Sequence, residues 1–135
     1  MDFDRLVWAQ HPIAPGWEDD EPDPVVWTSV ELLERAWRNA EGYVGPGGDP
    51  SDQPGKYKVV GQFLCESAGK IDLFVPTVSL NDGKVEFTDG RHRFAWLRDH
   101  GLTALPVEVG TECESDYRRC FETELRVGRL NTAQR

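Results

Sequence analysis

Apolar positions along this chain follow two periods, three-to-four residues in some stretches and two in others, and the switches between them mark its elements. Val25-Val26-Trp27 is a short β-prone run. After it, Val30, Leu33, Trp37 and Leu32, Ala36 stand at helical spacing, which predicts an amphipathic helix from Val30 to about Ala40 with Thr28-Ser29 as its cap. Pro54-Gly55 opens a second helix, in which Tyr57, Val60, Phe63, Leu64 and Ser67-Ala68 recur on one side and which Gly69 ends. Ile71 to Leu80 is β-prone, Asn81-Asp82-Gly83 is a hairpin turn, and Lys84 to Thr88 alternates as the returning strand. A third helix runs from about Arg91 to His100 with Phe94, Ala95, Trp96 and Leu97 apolar and Gly101 as its stop. Leu105 to Val109 is a further strand, and Ser115-Asp116 starts a closing helix carrying Tyr117, Cys120, Phe121, Glu124 and Leu125.

The intervening stretches read as irregular. Trp8 to Asp23, with Pro12, Pro15, Gly16 and Pro22, is expected to form an extended arm pinned to the body by Trp8 and Trp17. Its acidic run Glu18 to Glu21 reads as a solvated loop, against the alternatives of an acidic docking surface or a nucleic-acid mimic. Gly42 to Gly55 holds five glycines and three prolines, the composition and length of a mobile lid, insertion or linker. The whole is an α+β fold in one domain, with an acidic portion 1–55 packed on a core 56–127 and a frayed tail 128–135. At 135 residues such a domain can bury a core without staples.

Charge changes this picture. Residues 1–55 carry twelve acidic and three basic side chains, and residues 56–135 carry twelve of each, so the whole net charge of −9 resides in the first portion. An acidic chain repels nucleic-acid backbones, which disfavours sequence-specific DNA binding. No apolar run reaches the ~20 residues of a bilayer span and the N-terminus has no secretory pattern, so a soluble cytoplasmic protein is expected. Cys65, Cys113 and Cys120 show no CxxC spacing and read as reduced. Cys113 and Cys120, seven apart, would share a helix face, where a disulfide or a soft-metal pair is the alternative to packing.

The run that carries chemistry is Phe87-Thr88-Asp89-Gly90-Arg91-His92-Arg93-Phe94-Ala95, a strand passing through glycine into a helix. The first amides of a helix lack intrahelical acceptors, and the helix dipole places partial positive charge there. Arg91, His92 and Arg93 add cations where the dipole disfavours them unless an anion compensates. The pattern therefore points to a phosphate site, against the alternative of two arginines solvating a surface turn. Asp89 is placed either to hold Mg²⁺ or accept a proton, or to cap the helix. His100, at the helix's far end, carries no chemistry, and His11 reaches the site only if the arm folds across it.

Lys84 to Val109 resembles the core of the ParB/sulfiredoxin superfamily, in which a strand enters a Gly-x-x-Arg turn, a helix with small residues and a strand containing Leu/Ile-Pro-Val. With the order of the flanking elements, the resemblance covers roughly Pro54 to Val127. It implies a small mixed sheet, a partly open barrel, flanked by helices, and a turn that binds the phosphates of ATP or CTP, usually with Mg²⁺. Gly90, His92 and Arg93 match the Gly-Cys-His-Arg turn of sulfiredoxins as phosphate contacts. Arg91 stands where they carry the catalytic cysteine, which excludes sulfinic-acid reduction as that family performs it. Lys56 matches the lysine sulfiredoxins send toward the nucleotide, with Lys58 equally reachable, while the family's helix hydroxyls fall near Val59 and Phe63. Partition proteins have Glu where Arg91 stands and continue into a DNA-reading domain for which 135 residues leave no room.

Three functions follow as expectations. The first is an NTPase or phosphotransferase: Gly90, Arg91, His92, Arg93 and Lys56 or Lys58 bind the nucleotide, Asp89 and His92 act in catalysis, and Asp89 holds the metal. The second is a non-catalytic inhibitor, as small plasmid and phage members of this superfamily are, whose acidic portion meets a basic surface on a partner protein. The third is a ParB-like nuclease, which the net charge disfavours.

Overall fold

The protein is described by a computed structural model covering residues 1–12, 15–16 and 22–131. In chain order the elements are β1 (Val7–Ala9), β2 (Val25–Ser29), α1 (Val30–Trp37), α2 (Lys56–Ser67), β3 (Leu73–Phe74), β4 (Thr77–Asn81), β5 (Lys84–Asp89), α3 (Arg91–Asp99), β6 (Ala104–Val109), α4 (Glu114–Phe121) and β7 (Arg129–Asn131). The fold is α+β. One sheet has the order β2-β6-β4-β5, with β6 antiparallel to β2 but parallel to β4, and β4 antiparallel to β5. The other is parallel, with the order β3-β1-β7. Neither closes into a barrel among the described residues.

Local chemistry sets most boundaries. Ser29 caps α1, its Oγ accepting from Leu32 N at 3.2 Å. Asp82 and Gly83 both adopt positive φ, 53° and 77°, as the tight turn between β4 and β5 requires. The β-prone run Ile71 to Leu80 is two strands rather than one. Val75 N donates to Ala9 O of the small sheet, and Pro76 O accepts from Glu108 N of the large one, so the chain changes sheets at Val75-Pro76. Pro76 has no N–H, which removes the donor a continuous strand would have used there.

Both terminal stretches carry a strand among the described residues, which exclude 132–135 of the tail. Trp8 lies inside β1, fully buried, paired with Leu73 on one side and Leu130 on the other. The tail expected to fray contains β7 at Arg129–Asn131, its pairing to β1 supplying hydrogen bonds that its own polar side chains do not advertise. Trp17 and the acidic run Glu18 to Glu21 lie outside the described residues. The three cysteines are free, Cys113 buried and Cys65 and Cys120 exposed, so Cys113 and Cys120 are not joined by a disulfide. No helix among the described residues is long and apolar enough to cross a membrane.

The core gathers beneath the β5–α3 junction. Trp37 of α1 lies 4.5 Å from Phe87 of β5 and 5.6 Å from Phe94 of α3, ring centre to ring centre, and Tyr43 closes on Trp37 at 4.9 Å. Such tilted and edge-on pairs stabilise beyond the area they bury. Several residues expected on apolar helix faces are elsewhere: Leu32 and Ala36 of α1 are exposed, Phe63 of α2 is 47% exposed because the buried face of α2 runs through Gly61, Leu64 and Ser67, and α4 ends at Phe121, short of Glu124 and Leu125.

Gly61 lets α2 approach α3, since a Cβ there would lie 2.1 Å from Trp96 Nε1 and 2.5 Å from Trp96 Cδ1. In an open helix, Gly→Ala gains up to about 1 kcal/mol. Overpacking costs about 1–3 kcal/mol, and here it should win. Gly61→Ala is therefore expected to lower the urea midpoint at unchanged m-value; a midpoint raised above wild type would contradict this account of the α2–α3 contact.

Candidate functional site: two helix starts on one cleft

β5 ends at Asp89, and the chain turns into α3 through Gly90 at φ 85°. A side chain there would be strained by the φ, and a Cβ would sit 3.0 Å from Pro76 Cβ. Gly90 itself holds the N-cap position, and its carbonyl accepts from Phe94 N at 2.9 Å. Asp89 therefore does not cap α3, and no other side chain does so among the described residues. α2 begins in the same way, after Gly55 at φ 90° and without a side-chain cap. Both uncapped starts line one cleft of about 340 Å³, whose walls include Lys56, Asp89, Gly90, Arg91, His92 and Arg93. Lys58 is exposed on α2 outside that wall.

The cations of the cleft differ in what already holds them. Arg91 donates to Asp52 Oδ1 at 2.5 Å and to Gly42 O at 3.0 Å. That hydrogen bond holds the Asp52 carboxyl below its ordinary range. Arg93 donates to Phe74 O; burial lowers its pKa, and the charge of Asp89 opposes the shift. Lys56 is exposed and forms no ion pair among the described residues. His92 is 3% exposed, with Nε2 2.8 Å from Ser51 Oγ. Burial first, then the charges of Arg91 and Lys56, hold its pKa below the ordinary value.

Of the arm, His11 reaches the edge of the site beside Asp89. His11 stacks on Phe74 with ring centres 4.9 Å apart, its Nε2 lies 3.0 Å from Val75 O and 3.7 Å from Asp89 Oδ2, and its backbone N–H donates to Glu108 Oε1 at 2.9 Å. Glu108 is buried in β6, which raises its pKa, against the lowering effect of the His11 N–H. Sequence reasoning named His11 only on condition of how the arm folds and missed Glu108 as a neighbour of Asp89; the available signal for His11 was the apolar run Val7 to Ala9, which makes β1 and carries His11 to that edge. Among the described residues no group of three or more His, Cys, Asp or Glu is placed to hold a metal ion, so Asp89 would need water or a ligand's own oxygens to complete such a site.

The Gly/Pro-rich loop, expected from its composition to be mobile, makes contacts with the body at several points. Val44 is fully buried, Arg98 Nη1 donates to Val44 O at 2.7 Å, and Gly47 N donates to Asp99 Oδ2 at 2.9 Å. Ser51 and Asp52 hold His92 and Arg91 as described, and Asp99 Oδ2 also accepts from Tyr57 Oη at 2.8 Å. Its glycines supply backbone angles for a fixed path, with Gly47 and Gly48 at φ 69° and 90°.

A family model described as PFIN, plasmid fertility inhibition factor, matches residues 67–117, from the last turn of α2 into α4. No curated protein matches the chain. Among solved structures, a crystal structure of an oncogenic suppression activity protein, described as a plasmid fertility inhibition factor and studied as a gold(I) cyanide derivative, is similar with a TM-score of 0.56 and 18% sequence identity. The match covers 76% of this chain and 58% of that one, so this chain spans less than two thirds of that protein's length, and the likeness is one of fold.

His92 makes the site sensitive to pH. With its folded pKa below the ordinary 6.5, the unfolded chain binds more protons between the two values, so the stability contributed by neutral His92 is lost as pH falls through that window. His92→Gln, which retains a hydrogen-bonding group for Ser51, is expected to lose less stability than wild type between about pH 7.5 and 5 in urea titrations. Identical slopes for the two proteins would contradict the buried, neutral imidazole.

Proposed function

We propose that the chain is a plasmid accessory protein of the fertility-inhibition type, acting on a conjugative transfer system by binding a protein partner. The match of residues 67–117 to the fertility-inhibition family carries this reading, because that segment holds the whole strand–Gly90–helix junction and the strands around it. The likeness in fold to a fertility inhibition factor agrees with it. So does the state of the cleft's most reactive positions: Arg91, in the place of the sulfiredoxin nucleophile, is matched by Asp52, and His92 is buried against Ser51.

One observation favours a second reading. Two uncapped helix starts, Lys56 and Arg93 face a single cleft, an arrangement suited to the phosphates of ATP or CTP. On that reading Gly90 lets phosphate approach the α3 amides, Lys56 and Arg93 neutralise its charge, and Asp89 serves Mg²⁺ or accepts a proton in a hydrolase or phosphotransferase.

The two readings separate cleanly. Expressed in donor cells carrying one of a panel of conjugative plasmids, the chain is expected to reduce transfer of at least one of them tenfold or more; unchanged transfer across the panel refutes the fertility reading. ATP or CTP with Mg²⁺ at 100 times a dissociation constant adds about 2.7 kcal/mol, several degrees in Tm. A shift that Arg93→Ala abolishes supports the nucleotide reading, and a Tm unmoved by either nucleotide removes it.

A further inference from the structure

α2 leaves two apolar side chains in water. Val59 and Phe63 are 67% and 47% exposed, and their four-residue spacing places them side by side, turned away from the buried Gly61. Lys56 lies three residues before Val59 on the same side, whereas Lys58, next to Val59 in sequence, stands about a quarter turn round the helix, where its long side chain reaches the stripe's margin; both are exposed. Neither lysine, nor the exposed Lys70 just beyond the helix, forms an ion pair among the described residues. Most arginines in and around α1, α3 and α4 differ, for Arg35, Arg38, Arg91, Arg98, Arg118 and Arg119 each meet a carboxylate of the chain, while Arg93 donates to Phe74 O. The exposed acid on this face is Glu66, at the helix's far end, where its Oε1 accepts from Gln62. On a protein of net charge −9, the start of α2 is thus an apolar stripe edged by unmatched ammonium groups.

We propose that this face docks an acidic amphipathic helix of a partner protein, with apolar side chains covering Val59 and Phe63 and carboxylates meeting Lys56 and Lys58. The inference rests on the reading of the chain as an interaction protein and names the partner's chemistry. Charge complementarity selects the occupant: an anionic partner finds its attraction here, while the acidic remainder of the surface repels it from other orientations. A helix matches the stripe because anchors at three- and four-residue spacing meet a pair at the same spacing. Lys56 also lines the cleft, so a helix seated on the stripe reaches the cleft's rim.

The test uses two labelled helical peptides with leucine at i, i+3, i+4 and i+7, one with glutamate and one with lysine at the remaining positions, read by fluorescence anisotropy on the full chain. The acidic peptide is expected to bind, the basic one to bind at least tenfold more weakly. Phe63→Asp, Lys58→Glu and about 0.5 M NaCl should each weaken the acidic peptide's binding tenfold or more. Both substituted positions are exposed, and circular dichroism confirms folding of the variants. No binding, equal binding of the two peptides, or indifference to Phe63→Asp overturns the proposal. So does concentration-dependent self-association of the wild type that Phe63→Asp abolishes, which assigns the face to a second copy of the chain. In donor cells, loss of transfer inhibition by Phe63→Asp supports the docking face. Inhibition equal to wild type refutes it while leaving the fertility reading intact, and a wild type that inhibits nothing refutes that reading whatever the peptides do.

Discussion

A guanidinium held between two carboxylates organises the side of the molecule where the cleft lies. Arg98, at the end of α3 with its side chain 8% exposed, donates to Glu34 of α1 at 2.7 Å and to Asp99 at 2.9 Å. Burying three charges is unfavourable unless their remaining hydrogen-bonding capacity is used. Here much of it is. Glu34 also accepts from Tyr43 and Arg38, Asp99 from Tyr57 and Gly47, and Arg98 gives a further bond to Val44 O. Burial works against the charge of Arg98, yet the bonds to Asp99 and Glu34 outweigh it and leave its pKa raised. Burial likewise drives the Tyr57 hydroxyl up to about 12, with the bond to Asp99 adding to the effect. Helices α1, α2 and α3 and the loop 42–55 meet in this network, so displacing the loop would take from these buried charges the hydrogen bonds of Tyr43, Val44 O and Gly47 N.

That constraint explains why the candidate site was only partly legible in the sequence. The strand–glycine–helix junction was readable, because a Gly followed by two arginines and a titratable imidazole in the first helical turn violates ordinary helix design and positive φ at Gly90 has few alternatives. The two helices flanking the hairpin, the hairpin and the buried strand at Leu105 to Val109 were readable from period and turn chemistry. The behaviour of the Gly/Pro-rich loop was not. Its composition describes backbone freedom in the unfolded chain, whereas its fixity comes from Arg98 and Asp99, half a chain away. The same holds for β1 and β7: three-residue strands carry too little pattern of their own and exist because each completes the other's hydrogen bonds. Phe63 misled for another reason, since a helix with apolar residues on two faces has no unique inward side in sequence alone.

Sorting the basic side chains by what already neutralises them separates structure from recognition. Arg98 and Arg91 have carboxylates within the protein and serve its architecture, one under the loop and the other across it. Arg93 is intermediate, spending a donor on Phe74 O beside a partly exposed Asp89. Lys56, Lys58 and Lys70 lie outside every ion pair among the described residues. An exposed lysine with no partner is ordinary by itself. Lysines without partners around exposed Val59 and Phe63 are what the proposed docking surface on α2 is built from.

The cleft and the outer face of α2 share a residue, and that sharing limits how they can work. Lys56 stands at the first turn of α2, where its charge opposes the helix dipole and reinforces the field of the α3 start across the cleft. An anion in the cleft would draw the ammonium inward; a carboxylate on a docked helix would draw it outward. One ammonium cannot be saturated by both, so two anionic occupants would compete for Lys56 even without touching each other, whereas an occupant that spans cleft and stripe would gain from both at once. The geometry therefore couples the two surfaces through a single flexible side chain, and the sign of that coupling depends on whether the partner's acid stops at the rim or enters the cleft.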